Sequence, residues 1–190
     1  MHTPTPGISF RETMEGDFVL GQDSSARLAM HANIDIADLA RFVSDPQHPG
    51  NICGHIDYPP LGYHLTSTQG VFQLFAPSGE AGLRWMVYEM GFQTQGKSYY
   101  LAGKKEVRVG SIFGMWRATT TLYTNLHEGN DTTGPVVGTG VLSLGVIDLL
   151  KLARTLEATH TTTLWQSCCT VARFFGFFAN ALWQTYVRKK

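Results

Sequence analysis

Residues 91–98 spell G-F-Q-T-Q-G-K-S, the letter pattern of a nucleotide-binding P-loop, and the chain that follows decides between two incompatible folds. A P-loop needs a buried strand running into a glycine loop and then a helix, whose free N–H groups and positive end hold phosphate. Beyond Ser98 the sequence continues Tyr99-Tyr100-Leu101-Ala102-Gly103-Lys104-Lys105-Glu106-Val107-Arg108-Val109, with aromatic and β-branched residues and a glycine where the first helical turns would lie. That composition predicts a second strand, with Thr94 to Lys97 as a hairpin tip. Nucleotide hydrolysis would instead require a helix beginning at Lys97. Asp148 sits where a Mg²⁺-holding acid would follow a strand, but it fits better as the cap of a helix over 149–156.

Elsewhere the pattern is also extended. Residues 8–21 read as a strand broken at Gly16-Asp17, and 26–34 as another, with 21–25 as the turn. Further strands are expected at 52–58, 63–68, 70–76 and 136–144, separated by the Pro59-Pro60-Leu61-Gly62 turn and a polar loop over 127–135. From Trp116, the apolar Trp116, Ala118, Leu122 and Leu126 alternate with Arg117, Thr119, Thr121, Tyr123 and Asn125, as in a half-buried antiparallel strand. Residues 83–92 are apolar on both faces and are expected to be its central, covered partner. Twenty glycines fit many tight turns.

Two helices are expected. Ile36, Leu39, Ala40 and Val43 mark a short one over 36–43, ended by the prolines that follow. A longer one over 164–188 carries a stripe of Leu164, Cys168, Val171, Phe175, Phe178, Leu182 and Tyr186, with Arg173, Asn180 and Gln184 opposite. Phe174, Phe177 and Trp183 widen its apolar arc, which must find cover on the sheet, on lipid or on a partner. Gln166, Arg173 and Asn180 interrupt the length needed to span a membrane. Residues 36–42 and 146–152 echo each other as strand-then-helix units, which would give the sheet a pseudo-twofold axis.

One β-rich domain over 1–190 is therefore expected, with a flexible 1–7 segment. A hydrophobic content of 43% over 190 residues suffices for a core without a metal or disulfide staple. Cys53, Cys168 and Cys169 are odd in number and two are adjacent, which fits a reducing compartment, and the first ten residues have no apolar run; a cytoplasmic location is expected. Fifteen basic and fifteen acidic residues leave no surplus for counterion release, against nucleic acid as a partner.

No motif names a reaction. The histidines His31, His48, His55, His64 and His127 show no i, i+4 pair on a helix and no cysteine at ligand spacing, so no metal set is expected, although His55 and His64 would meet if their strands pair. Cys53 and His55 share a strand face. No G-x-S-x-G nucleophile elbow occurs.

Several short strings carry a resemblance. Phe10-Arg11-Glu12-Thr13-Met14-Glu15-Gly16, Asp38-Leu39 with Phe42, Asp45 to Gly50, Leu61-Gly62, Gly70 to Phe75, Gly103-Lys104-Lys105-Glu106-Val107 and Trp116-Arg117-Ala118-Thr119-Thr120-Thr121-Leu122-Tyr123 are similar to a domain within large bacterial proteins related to cholesterol oxidases. The likeness covers roughly 8–186 of this chain and implies an accessory β domain of lipid or sterol metabolism beside a flavin-dependent glucose-methanol-choline oxidoreductase. It carries over no catalytic residue and no flavin, since no G-x-G-x-x-G opens a βαβ unit here.

The expected architecture is an antiparallel β-sandwich or open β-barrel with short helices and a C-terminal amphipathic helix. The expected function is a non-catalytic module that binds an apolar, lipid or sterol-like molecule or docks a flavin oxidoreductase, with no cofactor of its own. Met86, Tyr88, Tyr100, Lys105 and Trp116 are the candidate ligand-binding residues. A small barrel enzyme for an apolar substrate is the alternative, with His55, His64, Tyr88 and Lys105 as acid or base candidates.

Overall fold

The computed structural model describes residues 5–21, 24–108, 119–145 and 154–186. Eight strands run up and down in chain order: β1 (Gly7–Leu20), β2 (Ser24–Ile36), β3 (Pro49–Tyr58), β4 (Gly62–Pro77), β5 (Leu83–Thr94), β6 (Lys97–Arg108), β7 (Thr121–Glu128) and β8 (Val136–Ser143). Each pairs antiparallel with the next, and β8 returns to β1, which also pairs β2 along its whole length. The sheet is a closed antiparallel barrel. A short β9 (Glu157–Thr159) covers the first residues of β1, and the Thr155 hydroxyl takes the Arg11 N–H at 3.0 Å, so the part of β1 that β8 does not reach is still paired.

The P-loop-like string is a hairpin. Thr94 faces Lys97, and Gln95 and Gly96 form the two-residue turn with φ of 53° and 76°. Both left-handed values match the twist that tight hairpins require. Lys97 then opens β6 and pairs with Glu128 at 3.1 Å, at the surface.

Alternation sorts the side chains. Phe10, Glu12, Met14 and Phe18 of β1, Met86, Tyr88, Met90 and Phe92 of β5, and Leu101, Lys105 and Val107 of β6 are buried on the inner face. On β8 the inner positions include Gly138 and Gly140, and the Phe18 ring lies where their side chains would be. Phe18 also meets the Tyr58 ring edge-on at 5.3 Å, filling the hairpin end of the barrel.

Two helices stop the other end. Helix α1 (Leu39–Ser44) is capped by Asp38, whose carboxylate accepts the Arg41 N–H and is held below its ordinary range chiefly by that bond. Helix α2 (Leu164–Tyr186) turns Phe174, Phe177 and Phe178 toward Phe10, Phe42 and Phe75, with ring centroids 5.3–6.4 Å apart. The His48 ring N–H donates to the Phe42 carbonyl at 2.7 Å and tightens the same plug.

Local details depart from the expectations. Gly16 does not break β1; it lets the Val141 carbonyl of β8 approach where a Cβ would stand. Residues 63–76 form one strand rather than two, because Gly70 plays the same role against the Glu89 carbonyl. The partner of β7 is β6, not β5, and β5 lies between β4 and β6. Helix α1 is shorter than 36–43 and begins at Leu39. Helix α2 is rotated from the expected phase: Leu164, Cys168 and Phe175 are exposed, while Thr170, Val171, Phe174, Phe177 and Phe178 face the barrel. The expected helix over 149–156, its cap Asp148, and Trp116 and Ala118 fall wholly or in part outside the described residues.

Two outcomes follow from this packing. Gly140→Ala places a methyl against the Phe18 ring and the Asp17 carbonyl, and urea unfolding should show a loss of about 1–3 kcal/mol. Lys97→Ala should leave the melting temperature unchanged, and Mg-ATP should not raise it in either protein; a nucleotide-dependent rise abolished by Lys97→Ala would contradict the hairpin assignment.

Candidate functional site

Three places hold unusual chemistry. The first is inside the barrel, where Glu12 of β1, Tyr88 of β5 and Lys105 of β6 meet with side chains almost wholly enclosed. Lys105 Nζ donates to Glu12 Oε1 at 2.9 Å and to the Tyr88 oxygen at 3.3 Å, and the Tyr88 hydroxyl donates to Glu12 Oε2 at 3.1 Å. The ammonium also lies 4.6 Å from the Tyr88 ring centre. Burial, and after it the charge and hydrogen bond of Glu12, hold the Tyr88 phenol far above its ordinary pKa, so it stays a donor. The triad is closed on itself. Each member satisfies the other two, and the apolar Met14, Met86 and Met90 beside them are buried.

Met86 faces Lys105 across the β5–β6 ladder, so Met86, Tyr88 and Lys105 come together in the interior. Tyr100 does not join them. It stands on the outer face, where its hydroxyl donates to Glu89 at 2.7 Å and its pKa is raised first by burial and then by that carboxylate. Trp116 lies outside the described residues. The acid and base candidates divide in the same way, with Tyr88 and Lys105 inside and His55 and His64 outside, so the four do not converge on one reacting atom.

The second place is the outer surface of β2, β3 and β4. The strand register puts His31 directly opposite His55, and their rings stack at 4.5 Å; the His64 ring lies 4.1 Å from His55 on its other side. Gly54, at φ 145°, lets the His31 carbonyl approach where a Cβ would stand, and the β3–β4 register slips by one residue of β4 on either side of His55. Asp57 Oδ2 sits 3.5 Å from His31 Nε2. The His55 imidazole is held below its ordinary pKa, first by burial and then by its two histidine neighbours. Sequence spacing shows His55 near His64, but His31 joins them only through the register.

The third place is the outward face of α2. Leu164, Trp165, Phe175 and Trp183 are 87%, 78%, 49% and 62% exposed, and Cys168, Cys169, Ala172, Gly176 and Ala179 lie between them. A shallow apolar groove lined by Leu156, Ala158, Val171 and Phe175 continues this surface onto β9. No helix among the described residues is long and apolar enough to cross a membrane. Set against known proteins, the chain matches no family model, no curated protein and no solved structure.

The triad makes a thermodynamic prediction. Lys105→Met strands a buried carboxylate and should cost about 3–5 kcal/mol in urea unfolding, whereas Lys105→Met combined with Glu12→Gln should recover about half of that loss. Additive losses in the double variant would show that the two side chains act separately.

Proposed function

We propose that this protein is a non-catalytic barrel module that docks on an anionic lipid surface through the outward face of α2. The observation that carries the reading is the pair Trp165 and Trp183. They stand eighteen residues apart, five full turns at about 3.6 residues each, so they point the same way from points about 27 Å apart along the axis. Small and soft residues fill the stripe between them, and Arg173 and Asn180 flank it. Tryptophan is the side chain that best places one end in hydrocarbon and the other at headgroups.

Charge selects the surface. From Ala158 to Lys190 the chain has no Asp or Glu, but carries Arg173, Arg188, Lys189 and Lys190. The helix has an apolar outward face with Arg173 as its one charged residue, and the sequence beyond it adds three basic residues. Glu157 stands at the edge of the groove, and the balance matches the anionic cytoplasmic leaflet. The exposed thiols of Cys168 and Cys169 on the same helix fit the reducing side of that membrane. The enclosed interior supports surface docking over an internal apolar ligand, because Lys105, Glu12 and their neighbours leave one another little exposed area. A flavin oxidoreductase, the partner that the resemblance implies, is a competing occupant of the same face.

Sedimentation with vesicles of phosphatidylcholine and phosphatidylserine tests this reading. The full chain should pellet with them, less so at high salt, and Trp165→Ser with Trp183→Ser should weaken partitioning at least about tenfold without altering the melting temperature. Vesicles that leave the protein in the supernatant overturn it. A dimer in analytical ultracentrifugation that the same double variant dissociates would assign the face to a second copy instead.

A further inference from the structure

The three-histidine surface row carries chemistry that lipid docking does not use. We propose that His31, His55 and Asp57 form a site for a divalent transition metal of borderline softness, with zinc as the best fit. The inference stands apart from the docking reading, since it involves other residues on other elements.

One donor atom from each of the three residues lies within 4.8 Å of the other two. Tetrahedral zinc, with bonds of about 2.0–2.1 Å to nitrogen and oxygen, sets its donors about 3.4 Å apart. Closing the set takes roughly 1 Å of movement and a rotation of the His31 and His55 rings out of their near-parallel stack, so that both nitrogens point at one ion while the strands stay in place. The side chains of His31 and Asp57 are about one third exposed, so an ion has access.

Neighbouring hydrogen bonds aim the donors. Thr13 Oγ1 lies 3.2 Å from His31 Nδ1 and occupies that nitrogen, which leaves Nε2 as the ligand atom. The His64 backbone N–H donates to Asp57 Oδ1 at 2.6 Å, which leaves Oδ2. Those two remaining atoms are the ones that face each other at 3.5 Å. Metal sites orient ligands in this way, and two of the three here, His31 and Asp57, are so held.

Donor chemistry selects the ion. Two imidazoles and a carboxylate suit zinc or another late first-row ion and disfavour calcium and magnesium, which need oxygen donors. The fourth position is left to water.

The test uses the full chain with Cys53, Cys168 and Cys169 changed to serine, which removes competing thiolates. Calorimetric titration with zinc chloride should show one ion per chain, and cobalt(II) should give the visible absorption of a tetrahedral site. His31→Ala, His55→Ala and Asp57→Asn should each weaken zinc binding at least about tenfold, while His160→Ala, at an exposed site elsewhere, should not. In the chain with its histidines intact, zinc should shift the imidazole NMR signals of His31 and His55 and leave those of His127 in place, a readout that holds even if a variant fails to fold. Zinc binding with the same affinity in His31→Ala, or imidazole signals of His31 and His55 that do not move at saturating zinc, overturns the proposal.

Discussion

The return of β8 to β1 is the constraint on which the rest of the structure depends. A meander of eight strands left open would expose two rows of unpaired backbone groups, and here β1 would supply one of them. Closure removes both, with β9 and Thr155 completing the stretch that β8 does not reach. Once the cylinder is closed, each strand residue points either in or out. The inward set must fill a space of fixed width, so Gly138 and Gly140 yield room to the Phe18 ring. The cylinder also has two ends, and the aromatic side chains of α1 and α2 stop one of them while Phe18, Tyr58, Phe92 and Tyr99 crowd the other.

Placing Glu12 and Lys105 in that interior looks unfavourable, since removing each ion from water costs several kcal/mol. Its effect is on register. The two residues come from β1 and β6, which are not neighbours in the sheet, so their 2.9 Å contact spans the lumen. A one-residue slip of β1 would turn Glu12 to solvent and leave Lys105 charged and alone among methionines and aromatic rings. Apolar residues at these positions would tolerate the slip far better. The triad therefore acts against misregistered barrels, and Tyr88, held as a donor, completes the satisfaction of Glu12.

The parts of this fold that local chemistry determines were legible in the sequence. The Gln95-Gly96 turn shows itself by its residues and the strands on either side by their alternation, whereas the cap Asp38 falls inside the helix expected over 36–43. Contacts that depend on distant partners were not. Gly16 and Gly70 look like strand breaks because the carbonyls they admit, from Val141 and Glu89, belong to other strands. Lys105 stands out as a cation among tyrosines, but its partner Glu12 lies 93 residues away. His31 and His55 are brought face to face by the β2–β3 register alone. Periodicity misphased α2 for a different reason: both of its faces are apolar, and a repeat of about 3.6 residues does not say which of two stripes is inward.

That double-faced helix bears on what the molecule does. Phe174, Phe177 and Phe178 already anchor α2 to Phe42 and Phe75, and the plug is complete without the outward stripe. Lysine or glutamate at 165 and 183 would serve the barrel equally well and would hydrate better, since long charged side chains are stable on an exposed helix face. Among the described residues, Trp165 and Trp183 are not needed to close the barrel. An anionic lipid surface covering them is the role we propose for the pair. The histidine row likewise lies on the outer face of the barrel, where the β2–β3 register rather than core packing brings His31 to His55.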